Sequence, residues 1–268
     1  MYVKCSGCHR DACDYQPPFV KCSLLGQSTF ASGPVELFTV EKEPVMRPVF
    51  LTWCGLVVLI CSAAADEPPA RFAFVDLQPQ SNQELRATFS ANFTDCNLAE
   101  LPQGEQKFGD ATYKIGPSCI KLGGKLSPDL PEKVEIPVKR KFTKLHILHA
   151  TQNGGFADEA HPTHIKDGTP IGEYTLRYSD GSTQAIPIIY GEDVRDWWNW
   201  DKSKDTKRGK VVWTGANPAV KVYGIDLRLY ELIWTNSKPE LEVASIVYSS
   251  KMDTPGAPFC VALTAGSE

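Results

Sequence analysis

The chain has 268 residues, 42 % of them hydrophobic and 22 % charged, which is enough for one large globular domain or two small ones. Its 28 Lys and Arg against 32 Asp and Glu leave a net charge of -4. With no basic excess and no Lys/Arg block, nucleic acid is excluded as the main partner class.

Residues 1–45 hold Cys5, Cys8, Cys13 and Cys22. Cys5-Ser-Gly-Cys8-His9 matches the C-x-x-C-H haem-attachment pattern, and a zinc knuckle is the other metal reading. Too little chain surrounds the motif to wrap a haem, and no axial methionine is well placed. Residues 46–65 then read as a secretory signal peptide. Arg47 supplies the positive end, 49–61 the apolar core, and Ala63-Ala64-Ala65 the small-residue cleavage site. The apolar run is short of the roughly 20 residues that a membrane-spanning helix needs. Ile60 before Cys61 does not fit a lipoprotein signal. Translation is therefore expected to start at Met46, with 1–45 a misassigned upstream extension. The expected product is an exported module over 66–268, in the periplasm, cell envelope or extracellular space, with no stable membrane span after cleavage.

After cleavage only Cys96, Cys119 and Cys260 remain. Export permits a disulfide, and Cys96–Cys119 is the expected pair because Cys260 sits in an apolar run. Asn92-Phe-Thr94 fits the N-glycosylation pattern.

The signal from 70 onward is almost all β. Residues 72–77 predict a first strand. Residues 81–89 predict one short helix capped by Ser81 or Asn82. Residues 107–115 and 118–122 predict a hairpin about Gly116-Pro117. Strands follow at 133–138 and 144–150, the second placing His146 and His149 on opposite faces. Residues 152–170 form the longest irregular insertion, and His161-Pro-Thr-His164 within it is a candidate metal pair. Residues 171–178 and 183–190 flank Asp180-Gly181, a strong hairpin turn. Further strands are predicted at 211–214, 225–234, 241–248 and 259–264. About ten strands with one short helix indicate an all-β, jelly-roll β-sandwich.

Directly after the second strand of that hairpin comes Tyr190-Gly-Glu-Asp-Val-Arg-Asp-Trp-Trp-Asn-Trp200. It concentrates three of the six tryptophans with Glu192, Asp193, Asp196 and Arg195. Trp197, Trp198 and Trp200 could stack on a ligand while Asp193, Arg195, Asp196 and Asn199 make directional hydrogen bonds. The same composition suits a plug, with indoles folded under the end of a sheet and the charges paired. Glu192, Asp193, Asp196 and Asp201 are also candidate carboxylates for glycoside chemistry, but nothing fixes their separation.

Several phrases in 97–109, 120–124, 144–150, 171–174, 190–198 and 257–259 together resemble a module common in planctomycete bacteria, where it follows a signal peptide or is appended to multidomain proteins. That module is similar to galactose-binding-like jelly rolls, the group of discoidin-type and carbohydrate-binding domains. The resemblance implies loop tips at one end that hold sugars or other ligands. It allows a structural calcium, although no local Asp/Asn run demands one. It also implies that Arg195, Trp197 and Trp198 are structural, leaving Trp200 and Asn199 as the better ligand contacts. The expected function is an exported, non-catalytic binding module for a glycan or polysaccharide. The alternatives are a cell-envelope protein-interaction module and, third, a glycoside- or ester-acting enzyme.

Overall fold

The computed structural model describes residues 71–90, 92–155, 160–201 and 204–267. The signal-peptide and upstream-extension expectations, with the cysteines of 1–65, lie outside these residues. In chain order the strands are β1 (Phe72–Val75), β2 (Gln83–Glu84), β3 (Gly104–Phe108), β4 (Ala111–Ile115), β5 (Ser118–Lys121), β6 (Lys133–Arg140) and β7 (Lys144–Gln152). They continue with β8 (Pro170–Tyr178), β9 (Thr183–Ile189), β10 (Lys210–Gly215), β11 (Leu227–Thr235), β12 (Val243–Ser250) and β13 (Ala257–Gly266). A 3-10 turn at Gln78–Gln80 and one short helix, α1 (Pro218–Lys221), complete the elements. The all-β expectation holds, and the strand pairs are antiparallel. No helix of the described residues is long and apolar enough to cross a membrane.

The large sheet runs β10-β11-β7-β13-β5-β2. β13 is buried along its whole length, which is why it reads as a continuous apolar run rather than an alternating one. One edge of β13 pairs with β7, and the other is shared in tandem by β1 and β5. The second sheet runs β6-β12-β8-β9. Its edge strands β6 and β9 carry Pro137 and Pro187, where a missing N–H costs least. The two sheets meet face to face through aromatic side chains. Tyr174 and Tyr248 stack at 4.5 Å, and the Tyr174 hydroxyl lies 3.3 Å from His149 Nδ1 on β7.

The Asp180-Gly181 hairpin forms as expected between β8 and β9, with Asp180 Oδ1 accepting the Ser182 amide at 2.8 Å. Two local expectations are corrected. The chain over 81–89 is not helical. The Asn82 side chain instead clasps the Lys121 backbone, donating to its carbonyl and accepting from its amide, each at 2.8 Å. A polar residue that reads as a helix cap here secures β2 alongside β5. The helix lies instead at Pro218–Lys221, where Asn217 Oδ1 accepts the Val220 amide at 2.9 Å and Pro218 fills the first turn. The hairpin expected about Gly116-Pro117 turns earlier, at Gly109-Asp110, and joins β3 to β4. Gly109 has φ +57°, and a Cβ there would stand 2.1 Å from Glu231 Oε2, so only glycine lets the turn approach β11 this closely.

The expected Cys96–Cys119 disulfide is not formed. Cys96, Cys119 and Cys260 are all free and buried. Cys96 and Trp198 line the same cleft, while Cys119 sits inside β5. Burial pushes the Cys96 thiol up to about 11 and that of Cys260 to about 12, and raises Cys119 further. All three behave as small, protonated core residues.

Candidate functional site

The segment after β9 folds under the end of the large sheet and is stitched to it by backbone hydrogen bonds. The Trp197 amide donates to the Thr151 carbonyl of β7 at 2.9 Å, and the Arg228 amide of β11 donates to the Trp197 carbonyl at 2.8 Å. The Trp197 ring is 1 % exposed and packs between Phe89 at 4.9 Å and Phe259 at 5.7 Å. This indole is the plug.

The charged residues of the segment are spent on one another and on their neighbours. Asp193 is buried, and its Oδ2 accepts the Ile189 amide and the Arg208 guanidinium, both at 2.7 Å. Arg195 is buried, forks onto Asp167 at 2.9 and 2.7 Å, and reaches Asp201 at 3.3 Å. Those hydrogen bonds hold the Asp167 carboxyl below its ordinary value. Asn199 Oδ1 accepts from Arg228 at 2.8 Å. Asp193, Arg195 and Asn199, expected as ligand contacts, thus have structural partners and do not line the cleft described next.

Arg228, in the interior of β11, ties the segment together. Its Nε donates to the Asp196 carbonyl at 2.9 Å, one terminal nitrogen to Asn199, and the other to Asp201 Oδ1 at 2.6 Å. Sequence reading passed over this residue because an arginine in a strand is read as facing solvent.

Beside the plug lies a cleft of about 320 Å³. The segment contributes Trp198, Trp200 and Asp196 to it, and Trp197 reaches its wall. The chain adds two rings from far away. Phe93 lies 5.1 Å from Trp198, and Tyr223, presented just after α1, lies 5.9 Å from Trp198 and 5.2 Å from Trp200. Tyr223 is 49 % exposed and Phe93 37 %. Asn92, Gln152, Asn153, His161 and Thr163 supply polar groups. His161, a member of the candidate metal pair, has its Nδ1 2.8 Å from the Thr163 hydroxyl. A Cβ on Gly155 would stand 2.1 Å from the Trp200 ring, so glycine at 155 is what lets Trp200 lie against the loop after β7. No Lys or Arg is among the described residues lining the cleft, and Asp196 is the single carboxyl there.

Asp196 accepts the Gly154 amide at 2.7 Å and the Trp198 amide at 2.8 Å. Burial outweighs those bonds and pushes its carboxyl up from 3.8 to about 6. A raised carboxyl holds its proton more tightly in the folded state. Its stabilising contribution is therefore complete below about 3.8 and is lost as pH rises through about 6. The Trp198 and Trp200 fluorescence is expected to titrate with a midpoint near pH 6, and Asp196→Asn removes that step. A pH-independent spectrum between 4.5 and 7.5, values chosen about 1.5 on either side of that midpoint, would rule out this assignment.

No family model, curated protein or solved structure matches this chain.

Proposed function

We propose that the chain is an exported, non-catalytic binding module of jelly-roll, galactose-binding-like type, and that its ligand is a glycan held in the aromatic cleft. The observation that carries this reading is the cluster of part-exposed rings, Trp200, Tyr223 and Phe93, beside neutral hydrogen-bonding side chains. Ring faces cover the apolar C–H face of a sugar, and Asn, Gln and Thr groups meet its hydroxyls. Export rests on the signal-like stretch at 46–65. Non-catalytic action is supported by the carboxylates considered for glycoside chemistry. Asp193 and Asp201 are occupied by arginines, Asp196 by backbone amides, and Glu192 lies 3.2 Å from Lys207.

One observation favours a second reading, a cell-envelope protein-interaction module. Val222 is 80 % exposed next to Tyr223, which gives the cleft rim an apolar edge of the kind that protein partners cover.

A glycan array and a pull-down on insoluble polysaccharide separate the two. The glycan reading expects binding that falls about tenfold or more in Tyr223→Ala and in Trp200→Ala, with the melting temperature within a few degrees of the parent. No glycan bound, together with a cross-linked envelope protein lost in Val222→Asp, would replace it by the second reading.

A further inference from the structure

A larger cavity, of about 560 Å³, opens elsewhere, between the β3–β4 turn and the ends of β1, β7 and β13. Lys107, Lys144 and Arg71 line it, against Asp110 as the only carboxylate among the described residues of the lining. Asp110 is itself 3.8 Å from Lys210, so the two lysines face the cavity with one partly neutralised anion. The Phe72 ring gives an apolar wall, with Arg71 5.2 Å from its centre.

The buried end of the cavity is His146, 4 % exposed and packed edge-on to Phe72 at 5.5 Å. Its Nδ1 lies 3.3 Å from Glu231 Oε1. Glu231 also accepts the Tyr113 hydroxyl at 2.9 Å and the Asp110 amide at 3.1 Å. Burial pushes the Glu231 carboxyl up, but the hydrogen bonds from His146, Asp110 and Tyr113 prevail and hold it below its ordinary value. An ionised carboxylate only accepts, so the proton between the two groups sits on Nδ1. Nε2 is then the ring atom left to a ligand hydroxyl, which donates to it in the neutral ring and accepts from it in the protonated one. It lies on the Gly266 side, where a Cβ would come within 3.4 Å of it, and Gly266 also lines the cavity.

A bare inorganic anion suits the lysines but leaves the Phe72 wall and most of a cavity of about 560 Å³ unfilled. A ligand carrying both an oxyanion and hydroxyl groups satisfies both ends and can lay an apolar face on Phe72. We propose that this cavity is a second ligand site, for a sugar bearing a carboxylate or sulfate. The oxyanion meets Lys107 and Lys144 at the mouth, and a hydroxyl hydrogen-bonds with His146 Nε2 at the floor. The volume falls in the usual range for small-molecule sites. The site is separate from the aromatic cleft and does not depend on the glycan reading of that cleft.

Calorimetric titration of the full chain with glucuronate, a sulfated glucose, glucose and inorganic sulfate tests this, with the His146 imidazole nitrogen shifts followed in parallel. At least one acidic sugar is expected to bind ten times or more tighter than glucose and than inorganic sulfate, and to move the Nε2 signal. The double variant Lys107→Ala/Lys144→Ala, at two side chains on the cavity mouth, loses at least tenfold of that affinity. Tyr223→Ala, in the other cleft, leaves it unchanged. The proposal is overturned if no acidic sugar binds, if inorganic sulfate binds equally well, if the lysine pair can be removed without loss, or if Nε2 does not respond. A loss in Tyr223→Ala equal to that in the lysine variant overturns it too, by placing the acidic sugar in the aromatic cleft.

Discussion

Trp197→Ala is expected to cost about 3–5 kcal/mol, the range for deleting a fully buried tryptophan, because the cavity it leaves is walled by Phe89 and Phe259 on two sheet-bound segments. For a unit of this size that lowers the melting temperature by roughly 10 °C. Trp200→Ala, three positions on, is expected to shift it by only a few degrees, because that ring is half-buried at the cleft. The pair of melting curves distinguishes plug from platform within four residues. If Trp197→Ala melts within about 3 °C of the parent yet loses ligand, the plug assignment fails.

Arg228→Ala is the second large effect. Three acceptors lose a buried guanidinium together: the Asp196 carbonyl, the Asn199 side chain and the Asp201 carboxylate. Removing one partner from a buried ionic network costs about 3–5 kcal/mol, mostly through the charge left behind. Here Asp201 retains Arg195 at 3.3 Å, which puts the expected cost at the lower end of that range. Arg228→Lys should recover only part of it, because an ammonium cannot reach three acceptors in a planar fork. Both variants should weaken any ligand in the aromatic cleft, since Asp196 and Asn199 bracket Trp198. Denaturant unfolding and binding are to be measured on the same preparations. A change below about 1 kcal/mol in Arg228→Ala would show that the segment holds its shape without this residue.

The later strands could be read from the sequence because their burial is simple. β9 alternates, β13 is buried throughout, and Asp180-Gly181 marks the turn between two clear runs. The stretch before residue 125 resisted because its polar residues bind backbone far off in the chain. Asn82 clasps Lys121, 39 residues away, and Gly109 turns the chain against a carboxylate of β11. Neither partner is visible in a local window.

The site divides the same way. The richness of 190–200 in tryptophan and charge was plain, and the resemblance set Trp197 and Trp198 apart from Trp200, but the local run does not say what covers each ring. That depends on Phe89 and Phe259 for Trp197, and on Phe93 and Tyr223 for the open side. β11 hid the most. Arg228 and Glu231 fall on opposite faces of the strand, and both are buried. Each is covered by a separate piece of chain, the 196–201 segment over Arg228 and the β3–β4 turn over Glu231. Strand periodicity has no code for a polar residue that faces a covering loop.

Asn92 adjoins Phe93 at the aromatic cleft and begins the triplet Asn92-Phe-Thr94. Recombinant material secreted from yeast or mammalian cells can therefore carry an N-linked chain planted at the mouth of the cleft, tethered at high effective concentration. Such a preparation would compete with its own assay and return a false negative in every glycan screen. Protein made in bacteria, or an Asn92→Gln variant from the eukaryotic host, is the material on which the cleft can be judged.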